Sequence, residues 1–144
     1  MNSESIVNQT QVGGHMLVKD IMIREVATIS PFATIREAMG AMRDRGVRSL
    51  VVEKKHDHDA FGIITYTTIL RTIVAEEGDI DLINVYDVAA KPVITVSREL
   101  EIKHVAKLMV NQGIRRVIVT LNNDLEGLIT MDDIVDSILS MIQR

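Results

Sequence analysis

The fold is decided by the stretch Gly127-Leu128-Ile129-Thr130-Met131-Asp132-Asp133-Ile134-Val135. It predicts a buried apolar strand that ends at Thr130, followed by a helix with an acid, Asp133, at its third position. A strand that leads directly into a helix offers backbone N–H groups, which favour an anion, and a carboxylate, which accepts hydrogen bonds from hydroxyls. The same Thr-x-x-Asp spacing fits a capping box that needs no ligand and contributes about 1 kcal/mol. Both interpretations remain open on this stretch alone.

The stretch has a second copy earlier in the chain. Gly62-Ile63-Ile64-Thr65 matches Gly127-Leu128-Ile129-Thr130 at an offset of 65 residues (127 − 62). Preceding segments match at an offset of 67 residues (113 − 46), and the two-residue difference falls in the connection 53–60, where loops tolerate length changes. Ordered matches at one spacing indicate an internal duplication. The segments that match at this larger offset are 18–21 with 85–88, 26–30 with 93–97, and 46–52 with 113–119.

Each copy predicts the order β-α-β-β-α, preceded by a short turn of helix around Asp20 or Asp87. Gly46 and Gly113 stand where the C-cap of the first long helix is expected. The predicted fold class is α/β (α+β mixed), with tandem repeats packed sheet to sheet under pseudo-twofold symmetry. The apolar positions that predict the helices are Ile35, Ala38, Met39, Met42, Ile69, Leu70, Ile73 and Val74 in the first copy, and Ile102, Val105, Ala106, Met109, Ile134, Val135, Ile138, Leu139 and Ile142 in the second.

The repeats define the predicted domain organisation. Residues 1–15 are polar and lack periodicity, which predicts a flexible leader outside the fold. Residues 16–78 form the first repeat and residues 79–144 the second, with 76–79 predicted as an exposed linker. We expect both repeats to form one module, because a single three-stranded copy buries its sheet poorly.

Composition excludes several classes of function. The chain of 144 residues has a net charge of −4 and no basic tract with interleaved aromatics, which argues against nucleic acid as a partner. No apolar run reaches the roughly 20 residues of a membrane-spanning helix. The absence of cysteine excludes disulfides and thiolate chemistry and is compatible with the expected cytoplasmic location. Nucleophile elbows, Walker loops and Gly-x-Gly-x-x-Gly motifs are also absent, so no catalysis and no catalytic cofactor are expected.

The doubled motifs resemble the cystathionine β-synthase (CBS) domain family, as a stand-alone tandem pair often called a Bateman module. They are Val-x-Asp-Ile/Val, Gly-Val/Ile-Arg-x-hydrophobic, and Gly-hydrophobic-Ile-Thr, which continues as x-x-Asp in the second copy. The resemblance covers about residues 16–144. It implies a regulatory module that forms disc-like dimers and binds adenosyl ligands in clefts between the repeats. AMP, ADP and ATP are the ligands expected first, with NAD-type compounds and S-adenosylmethionine as alternatives.

Carried onto this chain, the resemblance assigns the ribose hydroxyls to Asp133 and the phosphates to Thr130 and Arg116. Apolar side chains suit adenine, a carboxylate suits a diol, and an arginine beside a helix N-terminus suits phosphate. The remaining wall is expected from the other repeat, through Ile23, Val26, Ala27, Val47 and Arg48.

The second cleft departs from the family pattern, because Thr68 stands where Asp133 stands in the other copy. A neutral hydroxyl cannot hold a diol with two charged oxygens, so this cleft is expected to be weak, empty or used by a different ligand. Glu25 also replaces the Pro that the family often has, and that the second copy keeps as Pro92. The residues expected to line this cleft are Thr65, Thr68, Lys91, Pro92, Val93, Ile114 and Arg115.

Two other interpretations compete with this one. The run His56-Asp57-His58-Asp59 has the side chains of a divalent-metal site, but a solvated hairpin tip is the simpler account, and no metal is expected. A purely structural interaction module with empty clefts is the alternative function. In either case a homodimer is expected through the apolar faces of helices 66–76 and 132–143, together with a regulated protein that the sequence does not identify.

Overall fold

The computed structural model describes residues 15–91 and 93–142. The predicted leader therefore lies outside the described residues, except for His15. The described chain divides into two compact units, one spanning Val26–Val93 and the other combining the residues up to Glu25 with those from Ile94 onward. We name them the β1–β3 unit and the β4–β6 unit after their strands.

The β1–β3 unit contains a three-stranded mixed sheet with the order β1-β2-β3. β1 (Thr28–Ile29) runs parallel to β2 (Ser49–Val52), and β2 runs antiparallel to β3 (Gly62–Thr65). The helices are α2 (Ile35–Arg45), α3 (Tyr66–Leu70), which continues as a π-helical turn over Arg71–Ala75, and α4 (Val85–Val88).

The β4–β6 unit repeats this arrangement with longer strands. β4 (Thr95–Val96) is parallel to β5 (Arg116–Leu121), which is antiparallel to β6 (Asp124–Thr130). Its helices are α1 (Val18–Ile21), α5 (Ile102–Gln112) and α6 (Met131–Ile142). The two mixed sheets confirm the predicted β-α-β-β-α order in both copies.

The compact units do not coincide with the sequence repeats, because each short leading helix packs with the strands of the other copy. Val18 N–H of α1 donates to Leu100 O at 2.8 Å, and Val85 N–H of α4 donates to Ala33 O at 2.7 Å. Val18 and Val85 are both fully buried. Burial of these valines at matched positions explains why the Val-x-Asp motif appears twice.

Each unit has its own aliphatic core, as the shortage of aromatic residues requires. Ile35, Met42 and Ile64 are buried in the β1–β3 unit, and Met109 and Ile129 in the β4–β6 unit. Inward side chains come from one sheet face and one stripe of each long helix, which is the pattern that the helical spacing predicted.

Local capping explains where α2 begins and where α2 and α5 end. Thr34 Oγ1 accepts from Glu37 N–H at 3.2 Å while Glu37 Oε1 accepts from Thr34 N–H at 2.8 Å, a reciprocal capping box at the start of α2. Gly46 and Gly113 follow α2 and α5 in the left-handed conformation, with φ of 65° and 66°, which confirms both predicted C-caps.

One local expectation was wrong. Met39 is 39% exposed rather than in the core, because it lies at the edge of the buried stripe of α2. The helix predicted over 66–76 is present, but it changes to π geometry at Arg71. Its Leu70 and Val74 side chains are mostly exposed, as an apolar face available to a partner would be. In the predicted linker 76–79, Glu76, Glu77 and Asp79 are exposed as expected, whereas Gly78 is half-buried and its N–H donates to Thr72 O at 2.8 Å.

Candidate functional site

The strand-to-helix junction at Thr130 carries the predicted capping box. Thr130 N–H donates to Asp133 Oδ2 at 3.3 Å, and Asp133 N–H donates to Thr130 Oγ1 at 3.1 Å. Both side chains are half-buried. The cap occupies one carboxylate oxygen of Asp133, and a carboxylate has two, so capping is compatible with a hydrogen bond from a ligand hydroxyl.

The N-terminus of α6 is less open to an anion than the sequence suggested. Met131 N–H donates to Arg115 O at 2.8 Å, and Asp133 N–H is used by Thr130. Two of the first three backbone donors of the helix are therefore bonded within the protein. An anion held here needs a donor from a side chain as well.

Arg116 is that side chain. It is the first residue of β5 and pairs directly with Thr130 of β6, so the two side chains lie on the same face of the sheet. Its Nε is buried and has no hydrogen-bond partner among the described residues. Burial lowers the pKa of the Arg116 guanidinium, the neighbouring Arg115 lowers it further, and Asp132 opposes both. The group keeps its charge, so the site contains a partly desolvated cation with an unmet hydrogen-bond donor.

Arg115 and Asp132 form an exposed pair beside this group. Arg115 Nη2 lies 3.6 Å from Asp132 Oδ1, with side chains 64% and 82% exposed. Such a pair contributes little to stability, because water screens it. Arg115 therefore differs from Arg116 in environment, although the two are adjacent in sequence.

Ile23 lies beside the same junction, in the same unit. Ile23 N–H donates to Leu128 O at 2.8 Å and Leu128 N–H donates to Ile23 O at 2.9 Å, an antiparallel bridge to β6. A Cβ on Gly127 would come within 2.8 Å of Ile23 O and of Met22 Sδ, so only glycine allows this approach. The β4–β6 unit thus brings together Ile23, Arg116, Thr130 and Asp133.

The equivalent junction of the β1–β3 unit has the same backbone pairing but lacks the charged side chains that match Arg116 and Asp133. Ile63 and Ala90 form the matching bridge, and Thr68 N–H donates to Thr65 Oγ1 at 3.4 Å. The position that matches Arg116 at the offset of 67 holds Ser49 (116 − 67). The sequence reasoning noted the missing acid at Thr68 but not the missing arginine, although the offset alone was enough to find it.

The other predicted wall residues all lie in the β1–β3 unit. Val26, Ala27 and Val47 are half-buried, whereas Arg48 is exposed. Ala27 O accepts from Val51 N–H at 2.9 Å, which continues the pairing of β1 with β2. Val26, Ala27 and Val47 therefore each leave part of an apolar side chain accessible.

Lys91, predicted to line the second cleft, is engaged inside its own unit. Lys91 Nζ forms an ion pair with Asp59 and lies 4.0 Å from the centre of the Tyr86 ring. The hydrogen bond from Lys91 holds the pKa of Asp59 far below its usual range. Although burial opposes the Lys91 charge, hydrogen bonds to Asp59 and Tyr86 raise the pKa of Lys91. Pro92 lies outside the described residues, and Val93 and Ile114 are half-buried.

Asp59, the last acid of the histidine-rich hairpin, is the partner of Lys91 in this ion pair. Asp59 also accepts from Lys55 N–H at 2.9 Å, so its carboxylate shapes the loop. Within residues 15–91 and 93–142, no three His, Asp or Glu side chains are grouped to hold a metal ion. Over the same residues, no helix has both the length and the apolar character needed to cross a bilayer.

Comparison with known proteins identifies the family. The family model for the CBS domain matches residues 18–75 and again residues 85–140. An uncharacterized protein of Methanopyrus kandleri is 37% identical over 119 residues, which cover 82% of this chain and 60% of that protein. The inosine-5'-monophosphate dehydrogenase of Methanocaldococcus jannaschii is 31% identical over 136 residues, but these cover 94% of this chain and only 26% of the enzyme.

A solved structure gives the same result. The hexameric CBS-CP12 protein from bloom-forming cyanobacteria matches with a TM-score of 0.77 and 35% identity, covering 83% of this chain and 69% of that chain. The chain belongs to the CBS domain family and contains two CBS domains. Such pairs are in general regulatory, ligand-binding modules without catalytic activity, and the dehydrogenase shares only this part of its length.

Proposed function

We propose that this CBS-domain pair is a regulatory module that binds one adenine nucleotide, AMP, ADP or ATP, through the junction of β6 and α6. The observation that carries the proposal is the buried, unpartnered Nε of Arg116, directly across the strand pair from Thr130. A desolvated guanidinium is stabilised by a phosphate that restores its hydrogen bonds, and charge-assisted bonds of this kind are the strong ones.

The remaining groups have complementary roles in this proposal. Asp133 Oδ2 accepts from Thr130 N–H in the helix cap. The other carboxylate oxygen of Asp133 accepts from a ribose hydroxyl. Thr130 stands beside the phosphate end, and Ile23 offers apolar surface that is 40% exposed. The participation of Val26, Ala27, Val47 and Arg48 stays a prediction from the family resemblance. The relatives are consistent with a regulatory module and do not specify the nucleotide.

We further propose that only one of the two predicted clefts binds this ligand with appreciable affinity. The β1–β3 unit has Ser49 in place of Arg116 and Thr68 in place of Asp133, so it lacks both the cation and the carboxylate. Lys91, which was expected to line that cleft, is already paired with Asp59. A weak or different ligand is therefore expected at the second cleft.

A thermal-shift panel tests the proposal and separates the ligand classes. The purified chain is heated with adenosine, AMP, ADP, ATP, NAD and S-adenosylmethionine in turn. A ligand at about 100 times its Kd adds about 2.7 kcal/mol to the free energy of unfolding, so binding is readily visible. A shift with the phosphorylated nucleotides that exceeds the shift with adenosine supports the assignment of Arg116. A larger shift with S-adenosylmethionine supports the alternative ligand, and no shift with any adenosyl compound overturns the proposal.

The second candidate function is self-association with empty clefts. It is favoured by the exposed apolar side chains along α3 and α6, and the CBS-CP12 relative is itself hexameric. We propose that the chain self-associates whether or not a nucleotide binds. Sedimentation in the absence of nucleotide tests this point separately from the thermal-shift panel.

A further inference from the structure

An acid, Asp132, lies beside the proposed phosphate site in the first turn of α6. Its Oδ1 is 3.6 Å from Arg115 Nη2, and its side chain is 82% exposed. The Cα–Cβ bonds of a helix tilt toward the N-terminus of that helix, so this carboxylate is directed to the end of α6 at which Arg116 pairs with Thr130. Burial and Arg115 lower the pKa of Arg116, and Asp132 is close enough to raise it.

The backbone donor of this turn that remains unbonded also belongs to Asp132. Of the first three N–H groups of α6, Met131 N–H donates to Arg115 O and Asp133 N–H donates to Thr130 Oγ1. The third, Asp132 N–H, has no partner within the part of the chain that the structure describes. An anion that reaches this N–H therefore approaches the carboxylate of the same residue.

The ionisable side chains of the junction carry no net charge. The cations Arg115 and Arg116 are balanced by the anions Asp132 and Asp133. A phosphate monoester carries about −1.5 to −2 charges at pH 7, and each further phosphate adds negative charge. Arg116 can hold one phosphate group, because its buried Nε has no partner among the described residues. Arg115 is already beside Asp132, so a chain of phosphates that extends past Arg116 meets a carboxylate rather than a free cation.

The fold does not require an acid at position 132. The matched position in the other copy holds Thr67 (132 − 65), and α3 begins there without an acidic residue in its first turn. The ion pair with Arg115 contributes little to stability, because both side chains are exposed to water. Asp132 can therefore affect the ligand without being needed for the structure.

We propose that the junction of β6 and α6 binds a nucleoside monophosphate in preference to the di- and triphosphate, and that Asp132 sets this preference. The inference rests on the nucleotide site proposed above and adds which member of the ligand class that site selects. One phosphate is held by Arg116. Further phosphates bring like charges toward Asp132, and like charges brought together oppose binding. All the groups that carry the inference lie in the β4–β6 unit.

Calorimetric titration with AMP, ADP and ATP, without divalent cations, measures the preference. For the wild-type chain, the dissociation constants should rise in the order AMP, ADP, ATP. Asp132→Asn should lower the ratio of the ATP constant to the AMP constant roughly fivefold, the scale of one exposed charge pair. Asp132→Glu keeps the charge and should retain the wild-type ratio. Asp136→Asn is the matched control, because Asp136 is exposed and lies one turn further along α6, and it should leave the ratio near the wild-type value.

The outcomes separate this preference from the nucleotide site itself. Thermal midpoints without nucleotide verify that each variant is folded, as expected for substitutions of exposed side chains. Tighter binding of ATP than of AMP by the wild type, or a ratio that does not fall in Asp132→Asn, overturns the preference. An equal fall in Asp136→Asn shows a general charge effect and overturns the role of Asp132. Absence of binding by all three nucleotides overturns the proposed site, and the preference with it.

Discussion

Thr130 and Asp133 exchange two hydrogen bonds across the first turn of α6, at 3.3 Å and 3.1 Å. The same two residues stand at the centre of the proposed nucleotide site. One carboxylate therefore has a structural role through Oδ2 and, in the proposal, a ligand role through its other oxygen. Substitutions that separate these roles give the first test.

Asp133→Ala should lower the free energy of unfolding by about 1 kcal/mol without nucleotide, because Thr130 N–H loses its acceptor. Asp133→Asn keeps an oxygen for the cap and should lose less. Both variants should lose most of the thermal shift with nucleotide, because a neutral amide is a weaker acceptor for a diol than a carboxylate. Urea unfolding measures the first effect and the thermal-shift panel the second. A nucleotide shift that survives in Asp133→Asn would show that the charge is dispensable.

Arg116→Met should leave the unliganded protein about as stable as wild type, because the substitution removes a buried donor that has no partner among the described residues. The same variant should lose roughly tenfold or more in affinity for ATP and much less for adenosine. Arg115→Met is the matched control, since Arg115 is exposed and paired with Asp132. Isothermal titration calorimetry compares the variants, and equal losses in both contradict the role given to Arg116.

The ion pair of Asp59 and Lys91 should make stability depend on pH. Because the folded protein holds the pKa of Asp59 below its unfolded value of about 3.9, the stabilisation is fully present above that value and is lost as pH falls. Asp59→Asn should therefore be less stable than wild type at pH 7, and the gap should narrow below about pH 4. Urea midpoints between neutral and acidic pH measure it. A gap that stays constant with pH would mean that the carboxylate acts only through the loop geometry.

Gly127→Ala should destabilise the β4–β6 unit, because the added Cβ meets Ile23 O and Met22 Sδ at 2.8 Å. The cost should exceed 1 kcal/mol, roughly the value for overpacking. Gly40→Ala is the control, since nothing lies within 4 Å of a Cβ there and alanine is the better helix former. Gly40→Ala should be neutral or stabilising. If the two variants have equal thermal midpoints, the close approach of Ile23 to β6 is not present in solution.

Much of the fold followed from the internal repeat. The doubled Gly-hydrophobic-Ile-Thr segment predicted both β-to-α junctions, and the glycine after each amphipathic helix predicted both C-caps. The acid at Asp133 and its loss at Thr68 predicted that the two junctions differ in charge. These features are local, so the sequence carries them directly.

The features that were not predicted depend on contacts between distant segments. The doubled Val-x-Asp motif predicted the short turn α1 but did not say that Val18 packs against β5 and β6 of the other copy. Lys91 was expected at a cleft, but it pairs with Asp59, a residue 32 positions earlier (91 − 59), in a loop that has no length-matched counterpart in the second copy.

Calorimetric titration of the unliganded chain with ATP, ADP and AMP tests the central claim most directly. The account predicts one binding site per chain for at least one of the three nucleotides. It further predicts that Asp133→Ala abolishes this binding, whereas Thr68→Ala at the matched position (68 + 65) leaves it unchanged. Two equal sites per chain, or full binding by Asp133→Ala, would contradict it.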